Sequence, residues 1–264
     1  MHKELKLQVE PIIRKAGEIL LFYYHKQMTW RDKKDQGFVT EADLASETFL
    51  MQELANVMPE ASFFAEESGK RGNQDADYCW VIDPLDGTTN FAFGIPYFCI
   101  SVALTYKQQP VFGMIYVPLF DELFYAQKGA GAFLNDQKIT VSKERSLDRS
   151  LFLVGFPYAK GKAFLSVLHH LEDISPRTYA FRHLGAIALD QAYVACGRAD
   201  GIFFEDLSWW DVAAGLILIQ EAGGIVSTYT GKPVIPGYRS YVAGADLMHR
   251  KLLSFFHDQN VKID

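Results

Sequence analysis

Residues 80–91 read Trp80-Val81-Ile82-Asp83-Pro84-Leu85-Asp86-Gly87-Thr88-Thr89-Asn90-Phe91, an apolar run that ends abruptly in two carboxylates. Trp80, Val81 and Ile82 read as the end of a buried strand. Pro84 restricts Asp83 to an extended conformation, and Gly87 permits a tight turn directly after Asp86. Two acids held this close repel each other unless positive charge sits between them, and a hard divalent cation bound by oxygen ligands is the usual solution. Gly87, Thr88 and Thr89 then offer backbone N–H groups and hydroxyls to an anion. A cation site beside an anion site points to phosphate chemistry. In isolation Asp-Pro-x-Asp-Gly is also a plain turn, so the decision rests on the remaining chain.

With 264 residues and 49% apolar side chains, the chain can bury a sizeable core, as one large domain or two closely joined halves. A net charge of -6 gives no overall support to a nucleic-acid-binding surface. Cys79, Cys99 and Cys196 form no Cys-x-x-Cys pair, so neither a disulfide scaffold nor a zinc knuckle is indicated. The N-terminus lacks the apolar core of a signal peptide and the longest apolar run, 213–219, is far short of a membrane span; a cytoplasmic location is the default expectation.

Apolar residues recur with helical period from Leu5 to Tyr24, and the charged stretch 30–37 that follows reads as an exposed loop or hairpin tip. Thr40 with Asp43 three positions later resembles a capping box, opening a helix that carries Leu44, Phe49, Leu50 and Leu54. A short apolar run, 62–65, leads into Glu66-Glu67, which on pattern alone reads equally as a solvated loop. Segments 98–106, 111–117 and 123–127 alternate with turn residues and predict an antiparallel meander. Gly129-x-Gly131 has no third glycine and opens no helix, and 155–162 has the wrong spacing for a phosphate-binding P-loop. The second half alternates, with strands at 152–155, 202–204 and 225–228 and helices at 164–171, 184–195, 211–222 and 247–256. Asp211, at the mouth of an apolar helix, reads first as its N-cap.

Taken together, Val39-Thr40-x-x-Asp43, Glu66-Glu67-Ser68, Trp80-Val81-x-Asp83-Pro84-Leu85-Asp86-Gly87-Thr88 and Trp210-Asp211-Val212-Ala213-Ala214-Gly215 resemble, in order, the motifs of the inositol monophosphatase family of metal-dependent, lithium-sensitive phosphatases. The resemblance implies an α/β chain folded as a layered αβαβα sandwich, of the type shared with fructose-1,6-bisphosphatase. It implies a single catalytic domain over 1–264, with halves of about 1–145 and 146–264 and the site between them, and a homodimer. It implies two or three Mg²⁺ ions per site, one held by Glu66, Asp83 and the Leu85 carbonyl, another by Asp83, Asp86 and Asp211. Glu66, Thr88 and Asp43 would orient and activate a water. Asp86, Gly87, Thr88, Gly185, Ile187, Glu205 and Asp211 would contact substrate, and Lys33 or Lys34 would reach in from a mobile loop.

The implied activity is hydrolysis of a small phosphorylated polyol, inositol monophosphate first. The same chemistry on fructose 1,6-bisphosphate, NADP or a 3'-phosphonucleotide is an alternative, and a non-enzymatic role in bacterial RNA or transcription complexes is another. Two departures bear on specificity. Ala186 and Ile187 stand where the family has a small polar and a small residue, and Phe204 stands seven positions before Asp211, where the family has a glutamate that bonds a substrate hydroxyl. Either Glu205, one place later, serves in its stead, or that contact is lost.

Overall fold

A computed structural model describes residues 2–24, 26, 30–32 and 38–257. Helix α1 (His2–Tyr24) leads to a two-stranded ribbon of β1 (Trp30–Asp32) and β2 (Phe38–Thr40), then to α2 (Glu41–Val57). Of the two readings of 30–37, exposed loop or hairpin tip, the pairing favours the hairpin: residues 30–32 run antiparallel to 38–40. There follow β3 (Ser62–Ala65), β4 (Gly69–Arg71), β5 (Tyr78–Asp86), the single-turn α3 (Thr88–Ala92), β6 (Cys99–Tyr106), β7 (Gln109–Val117), β8 (Glu122–Gln127), β9 (Gly131–Leu134) and β10 (Gln137–Ile139). They form an eight-stranded sheet of order β10-β9-β8-β7-β6-β5-β3-β4, antiparallel from β5 through β10 as the meander requires, with β3 parallel to β5.

The second half supplies β11 (Leu151–Val154), α4 (Lys162–Ile174), β12 (Ala180–Arg182), α5 (Ile187–Ala195), β13 (Gly201–Glu205), α6 (Trp209–Glu221), β14 (Ile225–Ser227), β15 (Ser240–Gly244) and α7 (Asp246–His257). Its five strands order as β12-β11-β13-β15-β14, with β11 parallel to both neighbours. The layers stack as α1 and α2, the large sheet, α5 and α6, the small sheet, and α4 with α7, the αβαβα sandwich. Three apolar clusters fill the gaps. The central one joins Val81, Ile115 and Phe124 of the large sheet to Leu189 and Leu218 of the helices and Leu153 and Ile202 of the small sheet.

The predicted stop at Ile82 is corrected. Strand β5 runs on to Asp86 because it bulges: Asp83 lies opposite Ser101 and Asp86 opposite Cys99, so Pro84 and Leu85 together face Ile100 alone. Pro84, which has no N–H to give a ladder, is tolerated there. Residues three apart on a regular strand point to opposite faces, and the extra residue reverses that parity. Asp83 and Asp86 therefore share the face on which Val81 packs toward α5 and α6, while Trp80, Ile82 and Leu85 pack toward α1 and α2.

Close approach of α6 to the large sheet fixes where its first turn lies. Gly113 on β7 leaves no room for a side chain, since an added Cβ would sit 2.8 Å from the Ala214 carbonyl oxygen and 2.7 Å from Ile217 Cγ2. Gly113→Ala should lower stability by about 1–3 kcal/mol, the usual cost of overpacking against an element that cannot yield. Denaturant unfolding measures this, and an unchanged midpoint would show that α6 is not seated as described.

Candidate active site

At the end of β5, between the two sheets, opens a cavity of about 550 Å³ lined by Glu66, Asp83, Asp86, Thr88 and Asp211 on one side and by Tyr158, His183, Gly185, Ile187 and Glu205 on the other. Asp83 and Asp86 are 2% and 8% exposed. Burial first, then the charges of Glu66, Asp86 and Asp211, push the Asp83 carboxyl well above the ordinary carboxylate range. Burial also raises Asp211 strongly and Asp86 less, because the amides of Ala188, Leu189 and Ile187 donate to Asp86 and offset part of the effect of burial. Those three bonds, 2.7, 3.3 and 3.0 Å long, come from the first turn of α5.

Asp83, Asp211 and Asp43 are also oriented by backbone. Asp83 Oδ1 accepts from the Leu85 amide at 3.0 Å. Asp211 is not the N-cap that its position suggests; Ser208 is, and Asp211 sits three residues on, with Oδ2 accepting the Ser208 amide at 2.7 Å. Asp43 occupies the same position in α2, where the capping box is complete: Oδ2 takes the Thr40 amide at 2.8 Å and its hydroxyl at 2.5 Å. Asp43 Oδ1 then receives the Thr88 hydroxyl at 3.1 Å, a hydrogen shared with the Leu85 carbonyl at 3.0 Å. Asp43 is fully buried and does not line the cavity, and its Thr88 bond links it to the site.

Helix α2 contributes more than Asp43. Its buried face is Ala42, Asp43, Ser46, Glu47, Leu50 and Leu54, whereas Leu44, counted in the predicted stripe, is 52% exposed. The Ser46 hydroxyl donates to the Pro84 carbonyl at 3.0 Å, and Glu47 accepts the amides of Glu67 and Ser68 at 2.8 and 2.9 Å. One helical face thereby pins the bulge, the Thr88 turn and the turn that carries Glu66. The sequence signal was available, because Ser46 and Glu47 lie three and four residues beyond Asp43 and so share its face.

Gly87 begins the Thr88 turn with φ +91, and a Cβ there would lie 2.9 Å from the Tyr97 carbonyl oxygen. Both facts demand glycine. Gly185, φ +84, packs on Asn90, whose amide nitrogen ties the carbonyls of Tyr97 and Leu184 together at 2.8 Å each. Ile187 lines the cavity beside its Asp86 contact. Phe204 is fully buried in the central core yet reaches the cavity wall, and Glu205, 7% exposed, lines the cavity beside it. Tyr158, which the sequence does not single out, meets Thr89 through its hydroxyl at 3.1 Å. Lys33 and Lys34 lie outside the described residues.

The donors gathered here are all oxygen, negatively charged and mostly buried, which is the chemistry a hard divalent cation requires. Among the described residues no three such side chains already close into a coordination shell; the acids surround one cavity, with Asp83, Asp86 and Asp211 each turning an oxygen onto a backbone amide. The set fits Mg²⁺ better than zinc: its acids are carboxylates, His183 on the cavity wall has Nδ1 on the Val154 carbonyl at 3.0 Å, and the Cys99 thiol donates to Asp86 and is pushed up by burial.

Residues 2–260 match the model of the inositol monophosphatase family. The chain is 41% identical to an inositol-1-monophosphatase of Mesorhizobium japonicum over 82% of this chain and 81% of that one. It is 36% identical to the Nus factor SuhB of Escherichia coli K12 over 98% and 97%. The crystal structure of the extragenic suppressor protein suhB of Bartonella henselae superimposes with a TM-score of 0.91 at 35% identity, covering 96% of this chain and 98% of that one.

The raised Asp83 carboxyl makes a prediction for the metal-free protein. A group whose folded pKa lies above its unfolded value of about 3.9 binds more protons when folded, so stability falls as pH rises through that window. Asp83→Asn, which keeps an oxygen for the Leu85 amide, should therefore be more stable than the parent at neutral pH in the presence of a chelator. The gap should close toward pH 4. Urea unfolding at several pH values tests this; a variant less stable at neutral pH would contradict the electrostatic account.

Proposed function

Because this chain belongs to the inositol monophosphatase family, a family of phosphatases, we propose that it hydrolyses small phosphomonoesters with Mg²⁺, inositol monophosphate first among them. The observation that carries the reading is the cluster of Glu66, Asp83, Asp86 and Asp211 beside the Gly87-Thr88 turn. Glu66, Asp83, Asp86, Asp211 and the Leu85 carbonyl would hold the ions, with Asp83 shared. When bound, Mg²⁺ supplies a Lewis acid that polarises phosphoryl oxygens and makes a nearby water more acidic.

The chain's own residues do the rest. Amides of Gly87 and Thr88 orient the phosphate. Thr88 Oγ1, its hydrogen held by Asp43 and the Leu85 carbonyl, keeps its lone pairs toward the cavity and accepts a hydrogen bond from water. Glu66 takes the proton of that water as its oxygen attacks phosphorus; the P–O ester bond breaks on the opposite side, and the departing alkoxide is protonated from solvent. Glu205 accepts a hydrogen bond from a substrate hydroxyl, and Asp211, Gly185 and Ile187 complete the wall. Residues 1–264 would act as one catalytic unit in a cytoplasmic homodimer; among the described residues no helix is long and apolar enough to cross a membrane. Likeness to a Nus factor favours testing a role in transcription complexes alongside.

Phosphate release from a panel of inositol monophosphate, fructose 1,6-bisphosphate, NADP, a 3'-phosphonucleotide and an aryl phosphate should show Mg²⁺-dependent turnover, with the polyol ester preferred. No release from any of them at saturating Mg²⁺ would overturn the reading. Lithium should inhibit that turnover, and indifference to it at limiting Mg²⁺ would remove the second ion site assigned to Asp83, Asp86 and Asp211. Glu205→Gln should raise KM for the polyol ester roughly ten- to a hundred-fold, as loss of a charged hydrogen bond worth ~1.5–3 kcal/mol implies, with kcat little changed.

A further inference from the structure

Glu205 ends strand β13 at the cavity wall, and its carboxylate is gripped from behind by two residues one turn apart on α4. The Ser166 hydroxyl donates to Glu205 Oε1 at 2.5 Å. His170 Nε2 lies 3.3 Å from Ser166 Oγ and 3.6 Å from the same carboxylate oxygen. Since the only hydroxyl hydrogen of Ser166 goes to Glu205, its oxygen must accept from His170, which fixes the hydrogen on Nε2. His170 Nδ1 is buried, and among the described residues no partner reaches it. A chain of donors thus runs from His170 through Ser166 to Glu205. Both contacts fall on Oε1, and among the described residues no donor reaches Oε2.

The imidazole is packed against aromatic rings. Tyr229 and Phe256 meet it edge-on with centroids 5.3 and 4.6 Å away, and those two rings stack on each other at 4.0 Å. On the other side of Glu205, Asp206 adopts φ +63 and its carboxylate pairs with Arg239. Glu205 is therefore held through its neighbour Asp206 and through its own Oε1. We propose that Ser166 and His170 are positioning residues that hold Glu205 with Oε2 toward substrate, and so set a preference for polyhydroxylated over aryl phosphate monoesters. The proposal rests on the reading of Glu205 as the acceptor of a substrate hydroxyl.

The test compares steady-state kinetics on inositol monophosphate and phenyl phosphate at saturating Mg²⁺ for Ser166→Ala, Ser166→Thr, His170→Phe and Glu205→Gln. Ser166→Ala is expected to raise KM for inositol monophosphate roughly tenfold with kcat within about twofold, and to leave phenyl phosphate unchanged. Ser166→Thr, which restores a hydroxyl, should recover the parent values. His170→Phe should shift KM in the same sense but less, and Ser166→Ala combined with Glu205→Gln should be no worse than Glu205→Gln alone, as coupled residues require. Equal losses on both substrates, or additive effects in the double variant, would overturn the positioning role and leave a structural one. If Glu205→Gln itself leaves the substrate preference intact, the hydroxyl contact fails and the proposal with it. If Glu205→Gln moves KM while Ser166→Ala does not, only the proposal fails.

Discussion

One extra residue in strand β5 governs the architecture of the site. Without the bulge at Pro84 and Leu85, Asp83 and Asp86 would face opposite layers of the sandwich, one of them toward the apolar cluster beneath α1 and α2. With it, both carboxylates enter a space bounded by α5 and α6. The cost is mutual repulsion and desolvation, read directly in the raised Asp83, Asp86 and Asp211 carboxyls. A fold that keeps such groups buried together must fix them by other means.

The means are backbone amides. Asp86 is held by the opening turn of α5, Asp211 by the cap of α6 and Asp43 by the cap of α2. Asp43 and Asp211 occupy the same place in their helices, three residues past the cap, and each spends one oxygen on the cap amide. For Asp43 the other oxygen is seen at work on Thr88. Helix starts thus serve as rigid mounts: they satisfy N–H groups that a helix leaves unpaired and, in the same contact, aim a carboxylate.

Much of this was legible in the sequence because the relevant chemistry is local. The Thr40–Asp43 spacing, the apolar run into Asp83, the meander from β6 to β8 and the alternating second half each follow from patterns of a few residues. What was not legible depends on non-local pairing. The bulge is defined by the partners Ser101 and Cys99, so the strand reads from the sequence as stopping at Ile82 when it continues to Asp86. On local pattern alone Asp211 reads as the N-cap, because Ser208, three residues earlier and the actual cap, looks like ordinary loop. Ser46 and Glu47 disappear into a helical pattern read for its leucines, although their burial comes from what they hold. The hold of Ser166 and His170 on Glu205 joins residues 39 apart and leaves no trace in either segment.

The central claim is that the carboxylates brought together by the β5 bulge exist to hold divalent cations, with Asp83 common to them. Crystals soaked in Mn²⁺, which takes the same oxygen ligands as Mg²⁺ and scatters anomalously, test it most directly. The account predicts an anomalous peak at coordination distance, roughly 2.1–2.2 Å, from an Asp83 carboxylate oxygen, flanked by Glu66 or by Asp86 and Asp211. Mn²⁺ bound elsewhere on the molecule, with no peak in contact with Asp83, would contradict it.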